Sequence, residues 1–173
     1  MDNDHAQGPA DAPLTLLEYG DYQCPSTGRA FGVVERLQLH FAERLRFVFR
    51  HFPLVDQHPR AMPAALLAEA AADAGSFWGM HALLLSHQNS LEDPDLSRYA
   101  EQFGLPGTGG TRVHYERVDA DLAAGRAAGV TRTPAFFVNG VPHEGGFDFG
   151  SLVTAIERAA VQATERGREG VNG

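Results

Sequence analysis

Cysteine is nearly absent from this sequence, and Cys24 is the single example in 173 residues. One thiol excludes an internal disulfide, so packing alone has to hold the fold. Long apolar runs are also lacking, and the longest are too short to span a bilayer. No signal-peptide pattern opens the chain, so the cytoplasm is the expected compartment. A mature exported form, or a domain cut from a longer chain, would have the same appearance.

Basic residues are scarce, with 14 Lys and Arg against 22 Asp and Glu and a formal net charge of -8. Lys and Arg are nowhere gathered into a stripe, so we expect no nucleic-acid partner. The eight histidines form no H-E-x-x-H pair or comparable ligand cluster, and we assign no metal. Gly110 stands where a phosphate-binding loop needs lysine, and no G-x-S-x-G elbow supports hydrolase chemistry.

Hydrophobic residues make up 43% of the chain, enough for one domain with a substantial core. Residues 1–12 are polar and rich in Ala, Asp and Pro, so we expect a flexible amino-terminal segment. The pattern after them predicts a single domain at 13–165, with a helical insertion at about 58–128. A carboxy-terminal tail is expected at 166–173.

Strand and helix patterns follow one another in a defined order. Residues 14–19 predict a buried strand, and apolar residues recur at helical spacing from Pro25. Residues 44–52 predict a second strand, four helical segments follow, and Asn139-Gly140 predicts a hairpin turn before a last helix. The order β-α-β, helices, β-β-α predicts an α/β fold with a mixed four-stranded sheet and helices on both faces.

Cys24 lies at the start of the first predicted helix, directly before Pro25. Proline is favoured at the first helical position, which gives Cys24 the N-cap position. The helix dipole and the free N–H groups there favour an anion and would stabilise a thiolate. A lone cysteine is otherwise more often an inert packed residue. Glu18, six residues earlier, falls on an apolar face of its strand, where a carboxylate is unexpected.

Four segments, DAPLTLLEYGDYQCP, FRHFPL, FWGMHALLL and GVTRTPAFFVNG, together resemble the DsbA-type thiol:disulfide oxidoreductases of the thioredoxin superfamily. They extend over nearly the whole predicted domain. The resemblance implies a thioredoxin-like fold with a helical insertion. It places Cys24 at the nucleophilic cysteine, Thr133 and Pro134 at the cis-proline loop that docks a peptide or glutathione, and Glu18 at a buried proton-transfer acid.

The sequence departs from the family motif Cys-x-x-Cys, because Thr27 replaces the second cysteine in Cys24-Pro25-Ser26-Thr27. A monothiol stays in a mixed disulfide until another thiol arrives. We expect the Thr27 hydroxyl to hydrogen-bond the thiolate, and Pro25 and Ser26 to line the substrate site. No bound cofactor is required. Glutathione or another low-molecular-weight thiol is the expected co-substrate, and protein or small-molecule thiols and disulfides are the expected partners.

Three functions remain open from the sequence. The first, our working hypothesis, is a monothiol thiol-disulfide oxidoreductase. The second is a glutathione-binding transferase or isomerase of the same fold, and the third is a redox-inactive thioredoxin-like binding module. A partly exposed thiolate would favour the first two, and an apolar pocket beside Cys24 would favour the second. A buried, protonated Cys24 would favour the third.

Overall fold

A computed structural model describes residues 4–169, apart from the side chains of residues 167 and 169. The elements are β1 (His5–Gln7), β2 (Leu14–Gly20), α1 (Pro25–Phe41), β3 (Leu45–His51), α2 (Ala61–Asp73), α3 (Phe77–Ser86), α4 (Asp93–Gln102), α5 (Arg112–Ala127), β4 (Ala135–Val138), β5 (Val141–Pro142) and α6 (Phe149–Glu169). A short 3-10 turn, Ala42–Arg44, precedes β3. The chain divides into two compact units: the described parts of 1–18, 32–49 and 135–173, and the residues 19–31 and 50–134.

The strands form one five-stranded sheet, in the order β1-β3-β2-β4-β5. The predicted thioredoxin-like α/β fold is confirmed, but the sheet has one strand more than the four expected. The additional strand is β1, which lies inside the segment predicted to be flexible. It pairs antiparallel with β3, and His5 lies opposite Phe49. Its three residues have no apolar pattern that would predict a strand. Main-chain pairing with β3 holds them in place instead.

The predicted hairpin turn is confirmed at Asn139 and Gly140. Both residues have positive φ, 48° and 79°, as a two-residue type I′ turn requires. The Asn139 side chain accepts a hydrogen bond from the Thr15 N–H at 2.8 Å, which attaches the hairpin to β2. At the start of α6, the Asp148 carboxylate accepts the Ser151 N–H at 3.0 Å. Helix α6 continues to Glu169, past the start of the predicted tail, and residues 170–173 lie outside the described residues.

The second unit contains α2 to α5, which correspond to the four helical segments expected in the insertion. Helix α2 is rich in alanine, and its buried alanines let it contact α3, α4 and α5 closely. Glu69 lies on the same helix with 1% exposure, and its carboxylate is 2.8 Å from His51 and 3.2 Å from Arg117. This buried carboxyl group therefore has the hydrogen-bonding partners that burial demands.

Candidate functional site

Cys24 occupies the N-cap of α1, as the sequence predicts. Helix α1 begins at Pro25, and its first helical bond runs from the Gly28 N–H to the Cys24 carbonyl at 3.1 Å. Because Pro25 has no N–H, the next two N–H groups, of Ser26 and Thr27, are the donors without an intrahelical partner. A negative charge on the Cys24 sulfur is favoured at such a helix end.

The Cys24 thiol contacts the loop before β4. Its Sγ lies 3.5 Å from the carbonyl oxygen of Thr133, to which the thiol donates. The peptide bond between Thr133 and Pro134 is cis. Cys24 is 8% exposed, and the Thr133 hydroxyl is buried with no hydrogen-bond partner among the described residues. The structure thus brings Cys24, Thr133 and Pro134 to one place within the second unit.

Thr27 is completely buried one turn along α1. Its hydroxyl accepts a hydrogen bond from the backbone N–H of Asp21 at 3.3 Å. Within residues 4–169, no hydrogen bond joins Thr27 to Cys24, so the expected interaction with the thiolate stays a prediction. Pro25 is exposed and Ser26 is half-buried, with the Ser26 hydroxyl bonded to Arg29 at 2.8 Å. Their role in binding substrate stays a prediction.

Asp21 is a site residue that the sequence analysis missed. Its carboxylate Oδ1 accepts the N–H groups of Gln23 at 2.8 Å and Cys24 at 3.1 Å. Its Oδ2 accepts the Leu54 N–H at 2.9 Å and bonds His58 Nδ1 at 2.8 Å. The spacing Asp-x-x-Cys before a helix is a local signal that would have identified half of this arrangement, because Asp caps backbone N–H groups two or three residues on.

Gln88 is the second residue that the sequence analysis missed. Its side-chain amide donates to the carbonyls of Tyr22 at 2.9 Å and Cys24 at 2.8 Å. Asp21 therefore holds N–H groups of the Cys24 loop while Gln88 holds its carbonyls. No sequence signal points to Gln88, since the contact joins residues 64 positions apart in the chain.

Glu18 belongs to the first unit and is 3% exposed. Burial raises the pKa of this carboxyl group to about 8, and its Oε1 has no hydrogen-bond partner in the described part of the chain. A carboxyl group in this state carries a proton at neutral pH. Such a proton is what the predicted transfer role needs, and that role stays a prediction.

A cavity of about 370 Å³ opens in the second unit between the loop after β3 and the carboxy-terminal end of α5. Its lining is mainly apolar and includes Phe52, Leu54, Leu122, Arg126, Val130 and Thr131. Thr131 is two residues from Thr133, whose carbonyl contacts the thiol. Two residues span about 7 Å at most, so the cavity wall at Thr131 lies close along the chain to the loop that contacts the thiol.

Residues 1–158 match the family model described as thioredoxin, and the chain belongs to that family. Two solved structures share its fold: a thioredoxin-like oxidoreductase from Silicibacter pomeroyi DSS-3, 23% identical with a TM-score of 0.80, and alpha-DsbA1 of Wolbachia pipientis, 21% identical with a TM-score of 0.77. The alignments cover 92% and 96% of this chain and 94% and 95% of those chains. The predicted resemblance to DsbA-type proteins is thereby confirmed at the level of the fold.

Closer similarity in sequence is found to part of longer proteins. The chain is 44% identical over 167 residues to the Na(+)/H(+) antiporter NhaA 1 of Mycolicibacterium vanbaalenii, with 90% of this chain and 26% of that protein covered. It is 42% identical to the Na(+)/H(+) antiporter NhaA 3 of Salinispora tropica, with 97% and 27% covered. The chain thus spans about a quarter of the length of these relatives. Among the described residues, no helix has the length and apolar character needed to cross a bilayer.

Proposed function

We propose that this protein is a thiol-disulfide oxidoreductase that works through Cys24 alone. One observation carries the proposal: the only thiol of the chain lies at the N-cap of α1, with Sγ 3.5 Å from the Thr133 carbonyl. The helix end stabilises a thiolate, and the adjoining loop offers a main-chain acceptor to an incoming peptide. We further propose that Pro25 and Ser26 flank the bound substrate and that Glu18 takes part in proton transfer.

The reaction balances with an external thiol. The Cys24 thiolate attacks one sulfur of a mixed disulfide between a protein and glutathione, forms a bond to the glutathione sulfur, and expels the protein thiolate. A second glutathione thiolate then attacks the Cys24–glutathione disulfide, releasing oxidised glutathione and the Cys24 thiolate. The proton lost by that glutathione ends on the protein thiol. Glutathione is oxidised, the protein disulfide is reduced, and Cys24 is unchanged.

The compartment follows from the same chemistry. Without a second cysteine, each turnover needs a small thiol from the surroundings, and the cytoplasm keeps such a pool reduced. We therefore propose a cytoplasmic site of action. The transport activity in the names of the longer relatives belongs to those proteins and is not assigned to this chain.

Turnover with a glutathionylated peptide tests the proposal. We expect intact-mass analysis to show Cys24 carrying glutathione when the peptide is supplied alone, and peptide release to become catalytic when glutathione is added. Cys24→Ser serves as the matched control and should do neither. A wild-type protein that forms no mixed disulfide and does not alkylate while folded would overturn the proposal.

The binding-module alternative is favoured by a specific observation. Cys24 is 8% exposed, and its thiol donates to a carbonyl, an arrangement that suits the protonated form. The alkylation measurement separates the two functions, since a binding module needs no reactive thiolate. If the thiol is inert, a peptide should still bind the Thr133–Pro134 loop, and Cys24→Ser should leave that affinity unchanged.

The transferase or isomerase alternative is favoured by the apolar cavity that reaches Thr131. A cavity of about 370 Å³ has the size of a small-ligand site. A hydrophobic electrophile would occupy it while glutathione lies at Cys24. Conjugation of such an electrophile to glutathione, lost in a Leu122→Arg variant that still exchanges disulfides, would establish this activity instead.

A further inference from the structure

We infer that Asp21 and His58 form a pair that sets the charge beside the Cys24 thiol. The inference deepens the proposed function and rests on it, because it assigns a positioning role in that reaction. Its basis is a carboxylate with 0% side-chain exposure. That carboxylate binds both the loop that carries Cys24 and the segment that follows β3.

The contact with Cys24 is direct. Asp21 Oδ1 accepts the Cys24 N–H at 3.1 Å and the Gln23 N–H at 2.8 Å. The carboxylate is therefore hydrogen-bonded to the backbone of the reacting residue itself. A negative charge in this position opposes a second negative charge on the Cys24 sulfur. Asp21 alone would thus counteract the stabilisation of a Cys24 thiolate by the helix N-terminus.

His58 is the side chain placed to supply an opposing charge when it is protonated. Its Nδ1 lies 2.8 Å from Asp21 Oδ2, and its side chain is 19% exposed whereas that of Asp21 is buried. The imidazole can therefore exchange a proton with solvent while it remains bonded to the carboxylate. When His58 is protonated, the pair is neutral and permits a thiolate at Cys24. When His58 is neutral, the pair keeps the net negative charge of Asp21, and the thiolate is disfavoured.

The other charged or titratable side chains around this loop bond elsewhere. In the described structure, Arg29 bonds the Ser26 hydroxyl, Arg60 pairs with Asp93, and His81 bonds the Tyr22 hydroxyl. Arg60 does reach the loop through its backbone, whose N–H donates to Gln23 Oε1 at 2.7 Å. Among the described residues, His58 is the titratable side chain hydrogen-bonded to Asp21. Compensation of the Asp21 charge therefore falls to His58.

Two substitutions should move the reactivity of Cys24 in opposite directions. His58→Gln leaves the carboxylate uncompensated, so the pH midpoint of Cys24 alkylation should rise by about one unit. Asp21→Asn removes the charge and keeps an oxygen acceptor for the Cys24 N–H, so the midpoint should fall by about one unit. In the double variant both charges are gone, and the midpoint should return close to that of the wild type.

The experiment is the rate of iodoacetamide alkylation across a pH series, read by intact mass, for the wild type and these variants. His87→Gln is the matched control, because His87 is exposed and bonds the Leu83 carbonyl. A purely structural role would lower the unfolding temperature of both single variants without moving their midpoints apart. An unchanged midpoint in His58→Gln, or shifts of one sign in both single variants, would overturn the inference.

A second measurement keeps the test valid if Asp21→Asn does not fold. The pH titration of the His58 ring is followed by NMR in Cys24→Asp and Cys24→Asn, two nearly isosteric N-cap residues. The charge at position 24 should raise the His58 midpoint in Cys24→Asp, since coupling between two sites is reciprocal. Equal midpoints would contradict the pair. Neither measurement requires turnover. If the two single variants shift the Cys24 midpoint in opposite directions but the protein exchanges no disulfides, the Asp21–His58 pair is supported and the proposed function is rejected.

Discussion

The Cys24 thiol donates to the Thr133 carbonyl over 3.5 Å, and the Thr133 hydroxyl beside it has no hydrogen-bond partner among the described residues. Conversion of the thiol to a thiolate or a disulfide removes this donor and leaves a buried carbonyl unpaired. An N–H from an incoming peptide would restore the lost bond. The Thr133 hydroxyl is free to donate a hydrogen bond to the sulfur or to the peptide. The resting site therefore contains polar groups that a bound substrate would satisfy.

Thr133→Val tests whether that hydroxyl serves the reaction. Valine has a similar shape and removes a buried hydroxyl without a partner, so we expect the free energy of unfolding to rise by up to about 1 kcal/mol. Turnover of a glutathionylated peptide should fall nonetheless. Urea denaturation and the turnover assay measure the two effects, and Thr131→Val, at an exposed position, is the control. Unchanged turnover in Thr133→Val would remove the hydroxyl from the mechanism.

Gly28→Ala tests the support that Gln88 gives to the Cys24 loop. A Cβ at position 28 would lie 2.1 Å from Gln88 Oε1 and would displace the amide that bonds the Tyr22 and Cys24 carbonyls. We expect a loss of about 1–3 kcal/mol in stability and slower alkylation of Cys24. Both are measured by urea denaturation and mass spectrometry.

Gly32→Ala is the matched control on the same helix. Nothing lies within 4 Å of a Cβ at position 32, so this variant should gain up to about 1 kcal/mol from helix propensity. If Gly28→Ala were stabilised to the same degree, the overlap with Gln88 would be relieved without cost. The Gln88 contacts would then contribute nothing to the site.

Local chemistry made part of this protein predictable from its sequence. Pro25 after Cys24 indicated the helix start, and Asn139-Gly140 indicated the hairpin, because each depends on the backbone preferences of adjacent residues. Strand β1 escaped prediction since its stability comes from pairing with β3. Gln88 and the Asp21–His58 bond escaped for a similar reason, as they join residues 64 and 37 positions apart.

The burial of Glu18 makes stability depend on pH. Burial raises its pKa from 4.5 to about 8 in the folded protein. Between those values the folded state retains a proton that the unfolded state has released, so the free energy of unfolding falls as pH rises. The contribution is complete below the unfolded value and is lost as pH rises toward about 8, with a size on the order of a few kcal/mol.

Glu18→Gln should abolish this dependence, because glutamine does not titrate. Urea denaturation at several pH values should show the free energy of unfolding of the variant increasing relative to that of the wild type as pH rises from about 5 to about 8. Glu43→Gln replaces an exposed carboxylate and should follow the wild-type curve. Parallel curves for Glu18→Gln and the wild type would mean that Glu18 is ionised at neutral pH, and its proposed role as proton donor would fail.

Thr27→Cys should convert the monothiol site into a dithiol site. Residues 24 and 27 are three positions apart at the start of α1, a separation that a disulfide can bridge. The hydroxyl that accepts the Asp21 N–H is lost, so stability should fall by about 1 kcal/mol. With a peptide disulfide and no added thiol, the wild type should accumulate a mixed disulfide. Thr27→Cys should instead release the peptide and lose two hydrogens as its own disulfide forms.

Intact mass after quenching with acid distinguishes these products, and Thr27→Ser, which keeps a hydroxyl and one thiol, is the control. Thr27→Ser should behave as the wild type does and remain in the mixed disulfide until glutathione is added. A Thr27→Cys protein that also stays in the mixed disulfide would show that a thiol at position 27 cannot reach the Cys24 sulfur. The dependence on an external thiol would then arise from the geometry of the helix start, and the missing cysteine would not explain it.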